Sequence, residues 1–241
     1  MANFVITAFY KIFPISMDEC LNLQFELKKV MLENDLKGTI LLGENEGINS
    51  TIAGSRQGID NFYAFVGSHL LIFDLKFKES FYNSNPFDKI KVKIKKEIVT
   101  LKKGDTCWLN KRGKYVKTQD WDDFISLPDV VILDTRNDYE FNIGTFKNAI
   151  NPNIKSFKEL PQWFDDNRNL YKGKKLATFC TGGIRCEKLT AYILEFFPEV
   201  YHLDGGILQY FEDTKNKNNM WIGNCFVFDN RIAVNPSLEA V

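Results

Sequence analysis

The stretch of this chain with the most chemistry in it is Thr178-Phe179-Cys180-Thr181-Gly182-Gly183-Ile184-Arg185-Cys186-Glu187-Lys188. An apolar run ends in a cysteine, two glycines permit a tightly curved loop, and a helical pattern begins next to the arginine. Backbone N–H groups of such a loop (Thr181, Gly182, Gly183, Ile184) converge on its centre, and the start of the helix adds about half a positive charge. Arg185 brings a forked set of donors to the loop's end. The expected consequence is an acidified Cys180 and a nucleophilic thiolate.

Such a loop needs a rigid platform, and the composition allows one. The chain has 241 residues, 44% hydrophobic and 26% charged, which suits one large or two modest soluble domains and excludes disordered, collagen-like and disulfide-scaffold classes. Lys+Arg and Asp+Glu balance at 31 each, so the mean charge favours neither nucleic acid nor membrane. Five cysteines form no CxxC pair, and MANFVITAFYK has no basic residues ahead of its apolar run, so a reducing, cytoplasmic location is expected. No run approaches the roughly 18 to 20 apolar residues of a membrane span.

The platform reads as mixed α/β, in two parts. Phe4–Phe13, Thr39–Leu42, Asn49–Ala53 and Leu75–Phe81 have strand character, while Asp18–Asn34 and Ile59–Leu70 carry apolar residues at helical spacing. The order βαββαβ predicts a ferredoxin-like, acylphosphatase-like module over residues 1–88, with two helices on one face of an antiparallel sheet. Residues 89–114 are expected to form a basic strand and connector. Between Asp88 and Lys117 eleven cations face three acids, and alternation puts Ile90, Val92 and Ile94 opposite Lys89, Lys91, Lys93 and Lys95. That pattern suits either an edge strand guarded by lysines or a footprint for a phosphate backbone.

Residues 115–214 alternate apolar runs (Val130–Leu133, Leu176–Phe179, Val200–Leu203) with helical segments, one opened by the capping-box spacing Ser156 to Glu159 and another running from Cys186 to Phe197 before Pro198. A parallel five-stranded sheet with helices on both faces is predicted, followed by a tail over 215–241 whose Phe226, Phe228 and Ile232 are expected to pack back on a domain. His202, one strand from Cys180, could be drawn as a Cys–His partner or read as a structural residue. Glu187 is expected to stabilise the helix start through the dipole. Neither metal-ligand spacing nor a dinucleotide fingerprint is present, so no bound metal or cofactor is predicted.

A Cys followed by four residues and an Arg at a strand-to-helix junction resembles the active loop of the rhodanese (sulfurtransferase) domain. Trp121-Asp122-Asp123-Phe124, Val131 to Arg136, Glu140-Phe141, Ile143-Gly144, Ala149 to Pro152 and Leu203-Asp204-Gly205-Gly206 resemble its other motifs. The family often has His after that glycine; this chain has Thr145. The resemblance implies a persulfide on Cys180, and a structural ion-pair network that includes Asp134 and Arg136. Cys186 is then either a thiol resolving that persulfide or a core residue of its helix. Related phosphatases have one more residue between Cys and Arg, so four favour sulfur over phosphate.

CTGGIRCEK, preceded by Glu46 to Gly54 (EGINSTIAG) and Asp134 to Glu140 (DTRNDYE) and followed by Asn224 to Asp229 (NCFVFD), is similar over nearly the whole chain to the bacterial tRNA uridine hydroxylase family. That resemblance implies oxygen-dependent formation of 5-hydroxyuridine at the tRNA wobble position, with molecular oxygen as co-substrate, an electron donor the sequence does not name, the anticodon arm as partner, and Lys91, Lys93 and Lys95 as candidate tRNA contacts; DNA and membrane are not expected partners. Longer members carry a cysteine-rich extension past the point where this chain ends, Val241. Two other readings stand beside it. One is a sulfurtransferase passing sulfane sulfur through Cys180; the other is a non-catalytic RNA-binding module on the same scaffold.

Overall fold

A computed structural model describes residues 4–69, 75–103, 111–214 and 220–241. Cys107 and the connector residues Gly104 and Asn110 lie outside them. The chain divides into two compact units, one taking in Met1–Ile98 with Phe228–Arg231, the other Val99–Val227 with Ile232–Glu239.

The first unit contains β1 (Phe4–Lys11), α1 (Met17–Glu33), β2 (Lys37–Gly43), β3 (Gly47–Gly54), α2 (Arg56–His69), β4 (Lys78–Tyr82) and β5 (Ile90–Ile94). Its sheet runs β4-β1-β3-β2-β5, antiparallel except for the β2–β5 edge. Ser16 starts α1 with a capping box: its Oγ accepts from the Glu19 N–H at 3.3 Å while the Glu19 carboxylate accepts from the Ser16 N–H at 2.8 Å. Leu23, Leu27 and Met31 of α1 and Ile59, Phe62 and Val66 of α2 share one apolar cluster with Phe9, Ile40 and Ile52 of the sheet, so both helices cover the same face. Each such fully buried side chain contributes about 1.5 to 3 kcal/mol.

The basic strand is β5. Val92 is buried, the Gln24 side chain donates to its carbonyl at 2.9 Å, and the strand pairs in parallel with β2, so the first unit runs to Ile98 and not to the expected residue 88. Strand pairing, invisible in an alternating pattern, draws it out of the connector.

The second unit contains β6 (Lys114–Val116), α3 (Thr118–Ile125), β7 (Val130–Asp134), α4 (Asp138–Phe141), β8 (Gly144–Phe146), α5 (Leu160–Asn167), β9 (Lys175–Phe179), α6 (Ile184–Ile193), β10 (Val200–Leu203), α7 (Gly206–Asp213), β11 (Trp221–Gly223), β12 (Cys225–Phe226) and β13 (Ala233–Val234). Its main sheet is parallel in the order β6-β10-β9-β7. Among the described residues this sheet has four strands where five were expected, and a single parallel bridge, Leu133 to Ile150, lies beside β7. Alternation splits the core into two layers. Ala177 and Phe179 pack with α3 and α7 on one face, and Leu176 packs with α5 and α6 on the other.

Three local expectations shift. Glu159 accepts from the Lys155 N–H at 3.1 Å with no Ser156 side-chain cap, and a 3-10 turn, Phe157–Glu159, precedes α5. Helix α6 starts two residues before Cys186 because Gly183 supplies the N-cap, and it ends at Ile193 in turns that carry the chain to Pro198. In the tail, Phe228 and Ile232 are exposed and Phe226 is half-buried; the buried residues include Trp221, Cys225, Val227, Ala233, Val234 and Leu238, and Arg231 fixes Phe228–Arg231 within the first unit by donating to Asp229 at 2.7 and 2.8 Å and to Ser80 at 2.8 Å. Among the described residues no helix is long and apolar enough to cross a membrane.

Candidate active site

Strand β9 delivers Cys180 to the carboxyl end of the parallel sheet, where open α/β sheets place their sites. Phe179 fixes the strand's end by an edge-on contact with Phe146, ring centroids 4.9 Å apart at 88°. The first turn of α7 then holds the loop backbone: the Ile207 N–H donates to the Cys180 carbonyl at 3.0 Å and the Leu208 N–H to that of Thr181 at 3.1 Å. Gly206 makes this approach possible. Its φ is +70°, and a Cβ there would sit 2.6 Å from the Cys180 carbonyl oxygen and 2.7 Å from the Gly183 nitrogen. Gly183, at φ +102°, opens α6 and points its N–H at the Cys180 sulfur from 3.1 Å.

The thiol is almost wholly buried, which alone would push its pKa up. The Cys186 thiol and backbone N–H, the Arg185 charge and the Gly183 N–H outweigh burial and bring it down to about 5. Burial and the neighbouring Cys180 sulfur push Cys186 the other way, well above the usual thiol range. The two thiols are thus pushed in opposite directions, Cys180 towards the anion and Cys186 towards keeping its proton. Thr135 steadies the latter, with Oγ1 at 3.6 Å from the Cys186 sulfur.

The forked donors of Arg185 reach a carboxylate and a loop hydroxyl. Its Nη1 and Nη2 donate to the two oxygens of Glu140 at 2.7 and 2.8 Å, and Nη2 also donates to Thr181 Oγ1 at 3.1 Å. Burial raises the Glu140 carboxyl's pKa, but the Arg185 guanidinium more than offsets it and holds the group below the usual carboxylate range. Glu140 and Arg185 thereby brace the loop from α4. Asp134 and Arg136 form a second buried pair: Arg136 Nε and Nη2 donate to the carboxylate at 2.9 and 2.6 Å, Nη2 donates to the Gly144 carbonyl at 2.6 Å, and the guanidinium lies 5.2 Å from the Trp221 ring centroid. Thr145 donates its hydroxyl to Asp134 at 2.9 Å, so the threonine found in place of histidine supports this pair.

The structure thus brings together Cys180, Thr181, Gly182, Gly183, Ile184, Arg185 and Cys186. It leaves His202 out: the imidazole is buried against the Tyr115 ring at 4.3 Å, and burial holds its pKa below the usual histidine value. Glu187 is also buried, accepting from the Tyr115 hydroxyl at 2.7 Å and from Arg112 at 3.3 Å. Lys91, Lys93 and Lys95 lie in the first unit, exposed and without an ion pair among the described residues. Glu140 is the site residue that sequence reasoning missed. Its signal was the Asn137-to-Glu140 spacing of a helix start directly after a buried strand: the Glu140 carboxylate does accept from the Asn137 N–H at 3.2 Å. Cys225 is buried, and burial pushes its thiol up to about 12 despite the nearby Arg136.

With this geometry in place, the comparisons define a class. Residues 118–213 match the rhodanese-like domain family, and residues 4–98 match the UPF0176 acylphosphatase like domain family. This chain is therefore a rhodanese-fold protein carrying an acylphosphatase-like domain ahead of the rhodanese-like one. Among solved structures, full-length HypF in its phosphate- and nucleotide-bound form is similar over 39% of this chain and 12% of its own, at 11% identity and a TM-score of 0.29.

Proposed function

We propose that the protein is a tRNA-modifying enzyme that hydroxylates the wobble uridine to 5-hydroxyuridine, with Cys180 as the reacting sulfur. The observation that carries this reading is the acidified Cys180, cradled by the Gly183 and Cys186 N–H groups in a rhodanese-like domain that follows a UPF0176 domain. That pairing of domains is the arrangement of the tRNA uridine hydroxylases that the sequence resembles. The exposed lysines of β5 support an RNA partner, because unpaired cations on an edge strand are free to replace phosphate counterions. An anticodon base is a cheap target, since unstacking costs least in a single-stranded loop.

In the balanced reaction the C5–H bond of uridine gives way to C5–OH. One atom of dioxygen enters the product and the other leaves as water, with two electrons and two protons from an external reductant. The residues of this chain hold the sulfur as an anion through Gly183, Cys186 and Arg185, and keep a proton on Cys186 beside it.

The test is nucleoside mass spectrometry of tRNA from cells lacking the gene and re-expressing the chain, grown with and without oxygen. The account predicts 5-hydroxyuridine that requires both the chain and oxygen. A second reading, sulfane-sulfur transfer through a Cys180 persulfide, is favoured by the same thiolate in a loop with four residues between Cys and Arg. Its mark would be a thiolated nucleoside, or thiosulfate turnover, that persists without oxygen.

A further inference from the structure

Helix α4 presents neighbouring residues in opposite directions. Glu140 is wholly buried and grips Arg185 and Thr181, the residue after Cys180, whereas Tyr139 is 46% exposed. One peptide bond therefore separates the residue that braces the reactive loop from an aromatic ring open to solvent. That ring is not a free surface side chain. Phe226 of β12 meets it edge-on, centroids 5.1 Å apart at 78°, and the Asn137 amide donates to its hydroxyl at 3.1 Å. Both contacts fix the ring's orientation and leave area uncovered, so little conformational entropy is lost when something stacks on it. The loop beside it has an open side as well. A Cβ at Gly182 would meet nothing within 4 Å, while one at Gly206 would strike loop backbone at 2.6 Å, so the loop is open beside Gly182 and closed against α7.

We infer that Tyr139, held by Phe226 and Asn137, is a stacking platform for the nucleobase delivered to Cys180. The inference rests on the RNA-modifying reading above and adds to it a residue and a contact. A base taken out of its stack needs a replacement partner, and an aromatic face supplies one for any base.

The test uses the full chain and an anticodon stem-loop RNA carrying 2-aminopurine, a fluorescent base, at the wobble position. Stacking quenches its emission, and anisotropy of an end-labelled copy reports binding separately. The wild type is expected to bind and quench, Tyr139→Phe to do the same, and Tyr139→Leu, which keeps apolar bulk against Phe226 but has no π face, to lose the quench and bind roughly ten-fold more weakly. An unchanged Cys180 titration in the Leu variant shows that the loop is intact, a readout that structural damage would move. If the wild type binds and Tyr139→Leu quenches equally well, the platform is overturned and the RNA-modifying reading stands. If the wild type binds no RNA, both fall.

Discussion

Arg185 and Glu140 form a two-pronged buried ion pair at 2.7 and 2.8 Å, which ties the end of the Cys180 loop to helix α4 across 45 residues of sequence. The arginine's charge still reaches the Cys180 sulfur, but its geometry is set by the carboxylate. The loop is thus rigid before any ligand arrives.

Removing one side of this pair leaves an uncompensated buried charge. Glu140→Ala should destabilise the rhodanese-like unit by about 3 to 5 kcal/mol, or roughly 10 °C in its melting transition by calorimetry. The pH dependence has a definite sign. The folded pKa of Glu140 lies below its ordinary 4.5, so its stabilisation is present above that value and is lost as pH falls through the folded pKa. Glu140→Gln should flatten the acid limb of the stability curve, and an acid limb identical to wild type would count against the pair.

The thiolate makes a second prediction. Ultraviolet thiolate absorbance, taken as the difference between wild type and Cys180→Ser, should titrate near a pH of about 5. Cys186→Ala deletes a donor to the anion and should raise the midpoint by about one to two units. Because the folded pKa lies below the ordinary 9.0, Cys180 makes the fold more stable as pH rises from about 5 towards 9, and Cys180→Ser should remove that slope. A midpoint in the ordinary thiol range would contradict the cradle.

Two glycines of the site should respond oppositely. Gly206→Ala forces a Cβ into rigid backbone 2.6 Å away at φ +70°, and should cost about 2 kcal/mol or more and disturb the Cys180 titration. Gly182→Ala meets open space and should leave melting temperature and titration near wild type. Equal effects from both would mean that the contact between α7 and the loop does not shape the site.

Lys91 and Lys93 of β5, with Lys95 just past its end, are tested by salt. Reversing Lys91, Lys93 and Lys95 to Glu should weaken tRNA binding about ten-fold or more and lower the slope of log affinity against log salt by about 2, since each lost single-strand phosphate contact removes about 0.7. Unchanged affinity and slope would return β5 to a lysine-guarded edge strand.

What the sequence made legible was local. Cys180, Gly182, Gly183 and Arg185 are contiguous, so strand, loop and helix start could be read together, and the alternation of Ile90, Val92 and Ile94 with lysines marked a strand with one buried face. Partners distant along the chain were hidden. Nothing near Arg185 announces Glu140, and nothing in the β5 pattern names β2 as its neighbour, because hydrogen-bonded strand partners leave no periodicity of their own. Ser156 shows the opposite failure: a capping spacing was present, but α5 starts further on at Leu160, with Pro161 in its first turn, and the serine hydroxyl makes no cap.

The most direct test of the central claim, that Cys180 performs tRNA chemistry, is nucleoside mass spectrometry of total tRNA from cells lacking the gene and complemented with either the wild type or Cys180→Ser. The account predicts that 5-hydroxyuridine and its derivatives return with the wild type and not with the serine variant. Full restoration by Cys180→Ser, with the variant folded and expressed at wild-type level, would contradict it.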